Sequence, residues 1–142
     1  MISFVGNDGF KKVYTWKEFT TNKDYIEFVK DESELLIKFR DTLINYNPDY
    51  LMGYYSDGFD FPYIKSRAKI NNIRLMINES AIKVSNKGRE SSIKLKGITH
   101  LDIFKFIKNI MSGSLRLDNY TLNSVAYEIL KDQAVLAHHF VL

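Results

Sequence analysis

The chain has 142 residues, 45% hydrophobic and 14% aromatic, enough to bury one core, which predicts a single globular domain and excludes a disordered tail. Its 20 basic and 17 acidic residues leave a net charge of +3, a mild excess that tolerates a polyanion without demanding one. No cysteine is present, which excludes a disulfide scaffold and thiolate metal sites, and no run approaches membrane-spanning length; the chain is therefore read as cytoplasmic, with no membrane partner.

In chain order, Ile2–Val5 and residues 12–16 are short β-type runs separated by Gly6-Asn7-Asp8-Gly9, residues that supply the dihedrals of a hairpin turn. Over residues 33–46, Leu35, Leu36, Phe39, Leu43 and Ile44 recur at helical spacing, with Asp31 or Ser33 available as a cap. Asn47-Pro48-Asp49 ends that helix, because proline disfavours a helical residue before it and has no N–H to donate. A buried strand is expected over residues 50–54. The next helix carries Phe61, Ile64 and Ala68 on one face, ends near Asn71-Asn72, and holds Pro62 in its first turn. Residues 73–75, 81–85 and 91–95 are extended candidates, the last two forming a hairpin around Asn86-Lys87-Gly88. Residues 98–101 read as a strand leading through Asp102 into a helix with a stripe of Ile103, Phe106, Ile107 and Ile110. A final helix over residues 121–130 turns Leu122, Val125, Ala126 and Ile129 inward. No repeat, low-complexity tract or linker divides the chain.

The stretch that carries chemistry is Gly53-Tyr54-Tyr55-Ser56-Asp57-Gly58-Phe59-Asp60-Phe61-Pro62-Tyr63-Ile64. An apolar strand, a polar turn, then an acid and a proline opening a helix hold a carboxylate at a strand-to-helix edge, where open α/β sheets bind their ligands. The stretch resembles the second exonuclease motif of family B DNA polymerases of the archaeal type, Tyr-Asn-Ser-Asp-x-Phe-Asp-x-Pro-Tyr, departing from it at Tyr55, where that pattern has Asn. His100-Leu101-Asp102-Ile103-Phe104 resembles the family's His-x-Asp-Leu-Phe segment, and Tyr120-Thr121-Leu122-Asn123-Ser124-Val125-Ala126 its Tyr-Ser-Leu-Asp-x-Val-Ala helix start. The similarity extends over residues 2–131, and residues 132–142 form a divergent tail.

The resemblance implies an α/β, ribonuclease H-like 3′-5′ proofreading exonuclease domain, a mixed sheet flanked by helices with its first strand missing, and a single partial domain over residues 1–142. It implies a role in DNA replication or repair, with Mg2+ or Mn2+ as cofactor in the parent family, and Asp60 as catalytic residue and metal ligand. Two cations about 4 Å apart clamp the attacking water and the leaving oxygen in such sites, with carboxylates drawn from three motifs. Only Asp60 of those acids is found here, since the Asp-x-Glu and Tyr-x-x-x-Asp motifs have no counterpart. The isolated chain is therefore expected to be inactive and to bind metal weakly or not at all.

Expected partners are single-stranded DNA or a primer 3′ end, held weakly, remaining polymerase fragments, or a second copy of the chain. In the ribonuclease H-like fold the missing strand lies between the opening hairpin and the strand at residues 50–54. Its slot is expected to be filled by a shift of Ile2–Val5, by a second copy, or by a polymerase fragment. A catalytically dead nucleic-acid-binding or subunit-interaction module is the alternative. A stand-alone nuclease using Asp60, Asp102 and a third acid, and an unrelated structural protein, complete the set.

Each residue also has a plainer role. Asp60 before a helix is an N-cap candidate, an arrangement worth about 1 kcal/mol. Tyr55 either stacks on a base or packs at the strand end, and the resemblance implies Phe59 as the candidate to touch a nucleobase near the primer end. Asp57 reads as a turn former, and the resemblance implies a structural role for Asp102. Glu32 and Glu34 suit the start of a helix. His100 reads as a satisfied core histidine, and His138-His139 as a solvated pair in the tail.

Overall fold

The computed structural model describes residues 1–87, 90–115, 117–130 and 139–141. The chain opens as the expected hairpin, β1 (Ile2–Val5) against β2 (Lys11–Thr15), with Ile2 opposite Tyr14 and Val5 opposite Lys11. Its turn closes through the Gly6 amide, which donates to the Phe10 carbonyl at 2.7 Å. Gly9, at φ 94°, takes the left-handed position that a side chain disfavours. A short strand that sequence pattern did not single out, β3 (Ile26–Phe28), joins β2 in parallel.

Helix α1 (Glu32–Tyr46) starts at Asp31, whose carboxylate accepts from the Glu34 amide at 2.9 Å, while Glu34 reaches back to the Lys30 amide at 2.6 Å. Reciprocal capping of this kind satisfies amides that the first turn leaves without partners. The helix ends on Asn47 at φ 48°, a left-handed conformation that asparagine tolerates. Leu35, Leu36, Phe39 and Leu43 are buried. Phe39 stacks on Phe4 of β1 at 5.8 Å and meets Phe61 edge-on at 6.2 Å, joining the sheet, α1 and the next helix in one core.

β4 (Tyr50–Gly53) precedes α2 (Asp60–Ile70), which buries Phe61, Ile64 and Ala68 as its spacing predicts. The strand expected over 73–75 lies instead at β5 (Met76–Ile77). The cause is the end of α2: Ile73 donates to the Ala68 carbonyl at 2.8 Å and Asn72, at φ 56°, to Lys69 at 3.2 Å. This pattern closes the helix with residues 71–73 and removes them from any strand. β5 pairs with β6 (Ser80–Ala81) across Asn78 and Glu79, whose φ angles of 48° and 61° give the tight primed turn of a two-residue hairpin.

β7 (Lys83–Lys87) and β8 (Glu90–Lys94) form the second expected hairpin. Asn86 and Lys87, expected in its turn, pair with Ser91 and Glu90, while Gly88 lies outside the described residues. β9 (Thr99–Asp102) runs parallel to β4. α3 (Ile103–Phe106) follows and passes directly into a π-helical turn, Ile107–Met111.

The apolar stripe predicted there is only partly buried. Ile107 is inside, but Phe106 is 51% exposed, and Ile110 is 68% exposed where the wider π turn breaks the spacing on which the stripe was drawn. α4 (Leu122–Leu130) buries Val125 and Ala126, whereas Ile129, expected inward, is exposed.

The main sheet has six strands in the order β3-β2-β1-β10-β4-β9 and mixes parallel with antiparallel pairs. A slot does lie between β1 and β4, as expected, and β1 has not shifted into it. β10 (His139–Val141) from the same chain occupies it, parallel to β1 and antiparallel to β4. This corrects the expectation of a displaced Ile2–Val5 strand or of one donated by a partner, and it gives part of the tail a place in the sheet. Residues 131–138 and 142, and with them His138, lie outside the described residues.

Candidate nucleic-acid interface at the end of β4

Gly53 lies opposite Asp102 in the parallel β4–β9 pair, so both chains leave the sheet at the same edge. The loop 54–59 emerges there and is tied down from beneath. One Asp102 carboxylate oxygen accepts from the Tyr55 and Phe104 amides at 2.9 and 3.0 Å, and the other from the Asp57 amide at 3.0 Å. Both oxygens are committed to backbone, which is the structural role expected of this acid.

Asp57 goes beyond the sequence reading. It lies in the turn as read, but it is also a buried hub whose carboxylate accepts from the Ile93 amide at 2.9 Å and from Lys105 Nζ at 2.5 Å. Its other contact is with His100 Nδ1, at 3.2 Å. Lys105 also donates to the Ser91 carbonyl of β8. Burial pushes the Asp57 carboxyl up, but hydrogen bonds from His100 and Lys105 outweigh it and hold the group below the usual aspartate value.

His100 completes the clamp. With Nδ1–H directed at Asp57, its Nε2 accepts from the Ser56 hydroxyl at 3.0 Å, and its ring meets Phe61 edge-on at 4.8 Å. Ser56, His100 and Asp57 thus stand in the order of a hydrolytic triad. Ser56 is sealed from solvent, however, and Asp57 is shared with Lys105, so the chain of bonds secures the loop and offers no accessible nucleophile. His100 matches its reading as a satisfied core histidine. No spacing rule links Ser56 and Asp57 to residues more than forty positions away, and neither Ser56 nor Lys105 was singled out in the sequence.

Above this clamp the loop presents aromatic rings. Tyr55 is 50% exposed, sits at φ 59°, and meets Phe104 edge-on at 5.1 Å. The left-handed backbone gives a physical reason for asparagine at this place in the family pattern, since asparagine adopts that conformation more readily than tyrosine. Phe59 is also 50% exposed and stacks on Tyr63, one turn further along α2, at 5.8 Å and 11°. The Tyr54 hydroxyl, its pKa raised by burial and by Asp102, stays a donor and reaches the Tyr120 carbonyl at 2.6 Å.

Asp60 is partly exposed at the first position of α2. Phe59 holds the cap position and no side chain caps the helix, so the N-cap role considered for Asp60 is not the one it has. A carboxylate in the first turn remains favoured by the helix dipole. Glu32 and Glu34 are structural, as read: Glu32 forms a two-point pair with Arg67 at 2.7 and 2.5 Å, and Glu34 caps α1. A separate groove of about 480 Å3 between β2 and α1, lined by Lys12, Tyr14, Lys38 and Thr42 among others, shares no residue with the loop.

Gly58 allows this ring arrangement, because a Cβ there would come within 2.6 Å of the Tyr55 ring. Gly58→Ala is expected to swing the half-exposed Tyr55 ring away at little cost in stability, about 0.5 kcal/mol or less, because the clash is with the far end of a side chain that can move. A Tyr55 ring resonance left unchanged in the alanine variant would contradict this.

Residues 1–125 match the family model described as DNA polymerase family B, exonuclease domain. The chain belongs to this family. It is 37% identical over 131 residues to a DNA polymerase of Methanocaldococcus jannaschii, an alignment covering 91% of the chain and 8% of that protein. It is 33% identical over 132 residues to a DNA polymerase of Pyrococcus horikoshii, covering 92% of the chain and 10% of the relative. DNA polymerase 1 of Pyrococcus abyssi is 32% identical over 143 residues, covering 97% and 18%. The family B exonuclease-domain chain thus spans less than a fifth of the length of these relatives. Among its described residues no helix is long and apolar enough to cross a membrane.

Proposed function

We propose that this chain is a single, partial, ribonuclease H-like proofreading domain whose own residues hold a single-stranded DNA 3′ end without cleaving it. The observation that carries this reading is the set of half-exposed rings, Tyr55 and the stacked Phe59–Tyr63 pair, beside Asp60 at the carboxyl end of parallel strands. Exposed rings on a fixed support stack on bases at about 1–3 kcal/mol each, whatever the sequence, and a small positive net charge favours the phosphate backbone.

A metal-ion pair of the parent kind would have Asp60 as one ligand for Mg2+ or Mn2+. The two neighbouring acids do not fit that role: Asp57 is committed to Lys105, His100 and Ile93, and Asp102 to amides of the loop and α3. Among the described residues, no three His, Asp or Glu side chains come together as a metal site. The chain's own contribution is to bind and orient the strand, and hydrolysis would need further carboxylates.

The test is paired. A fluorescent single-stranded oligonucleotide should bind weakly, lose affinity as salt rises, and lose about 5- to 150-fold in affinity on Phe59→Ala, the equivalent of one lost stacking contact. Digestion of the same oligonucleotide with Mg2+ or Mn2+ should not exceed a control. Metal-dependent 3′ digestion abolished by Asp60→Ala would overturn the inactive assignment. An absence of DNA binding would overturn the binding assignment.

A further inference from the structure

We infer that Lys105 is a positioning residue for the DNA-facing loop, an inference that rests on the proposed binding role. Its ammonium bridges the loop and β8. It donates to Asp57 Oδ2 at 2.5 Å within the loop and to the Ser91 carbonyl on β8, while its own backbone lies in α3. The Ile93 amide of β8 donates to the other oxygen of the same carboxylate at 2.9 Å. β8 and α3 therefore grip the loop through one buried carboxylate.

What Asp57 holds, the rings feel. Only one residue separates Asp57 from Phe59, and the carbonyl of Tyr55 accepts from both the Gly58 and Phe59 amides, at 3.2 and 3.0 Å, making residues 55–59 one hydrogen-bonded turn. The turn is fixed at its base by Asp102 and at its middle by Asp57. Removing the Lys105 charge leaves the carboxylate buried beside His100 with one strong donor gone, so the turn can relax toward solvent and carry Phe59 off its stack on Tyr63. The Lys105 side chain is partly exposed, and its replacement removes no core packing comparable to that of Phe61 or Leu51.

The experiment places 4-fluorophenylalanine at position 59 in the full chain and reads its fluorine resonance together with binding of a single-stranded oligonucleotide. Lys105→Met should shift or broaden the resonance and weaken binding about tenfold, within the range of one lost stacking contact, with far-ultraviolet circular dichroism retained. Lys105→Arg, which keeps charge and donors, should restore both. An unchanged resonance in Lys105→Met, or a failure of the arginine variant to restore it, overturns the inference. Should the methionine variant not fold, Lys105→Gln is read in the same way against the arginine variant. If the unmodified chain binds no oligonucleotide, the binding role fails, and the fluorine resonance alone decides whether Lys105 positions the loop.

Discussion

Asp57→Ala should be the most damaging single substitution outside the apolar core, because it leaves buried donors without an acceptor at about 1–3 kcal/mol each. The variant strands the Ile93 amide and His100 Nδ1 at once, while the partly exposed Lys105 keeps only the Ser91 carbonyl. Against a typical total of about 5–15 kcal/mol, such a loss would be plain in urea melts. Asp57→Asn, which keeps the volume and an acceptor, should cost less. A change no larger than about 0.5 kcal/mol in the alanine variant, the range of an ordinary surface substitution, would remove Asp57 from the centre of the loop's support.

The same carboxylate gives acid stability a definite sign. Its folded-state pKa lies below the ordinary value of about 3.9, so the contribution is complete above that value and is lost as pH falls through the folded pKa. Glu27, held low mainly by Lys12, and Glu32, held low mainly by Arg67, act in the same direction. Asp57→Asn should therefore flatten the fall of stability below about pH 4 without abolishing it. An identical acid slope in the two proteins would show that Asp57 is not a source of it.

What the sequence disclosed and what it hid divide along the range of the interactions. α1 and α2 were legible because their apolar residues recur at a local period and their ends carry Asp31, Asn47 and Pro62. β1, β2, β4 and β9 were legible as short apolar runs bounded by turn residues. The end of α2 shows where this fails: the Asn72-Ile73 closure borrows residues that look like a strand. The candidate site divides in the same way. Tyr55, Phe59 and Asp60 stand out within one contiguous motif, while the support beneath them joins loop 54–59 to His100, Lys105 and Ile93. A single sequence carries no mark of those long-range pairings, and Asp57 looks like any polar turn residue until the fold brings β9 and the β7–β8 hairpin beside it.

Removal of β10 by ending the chain after Leu130 should have the other large effect, because it reopens the slot between β1 and β4. β10 pairs along β1 at Ser3, Phe4 and Val5 and meets β4 at Met52, and the neighbouring Ser3, Phe4 and Leu51 are almost wholly shielded from solvent. Backbone groups left unpaired in such surroundings cost about 1–3 kcal/mol each, so a few of them match a large part of the stability of a domain this size. The shortened chain has two ways to lower that cost. It can lose cooperative melting, or it can recruit a strand from another copy by edge pairing, the usual fate of an uncovered sheet edge. The expected result is a lower melting temperature together with concentration-dependent light scattering, and faster amide exchange concentrated at Ser3, Val5 and Met52. A shortened chain that melts like the parent, stays monomeric and keeps those amides protected would show that β10 does not hold the two halves of the sheet together.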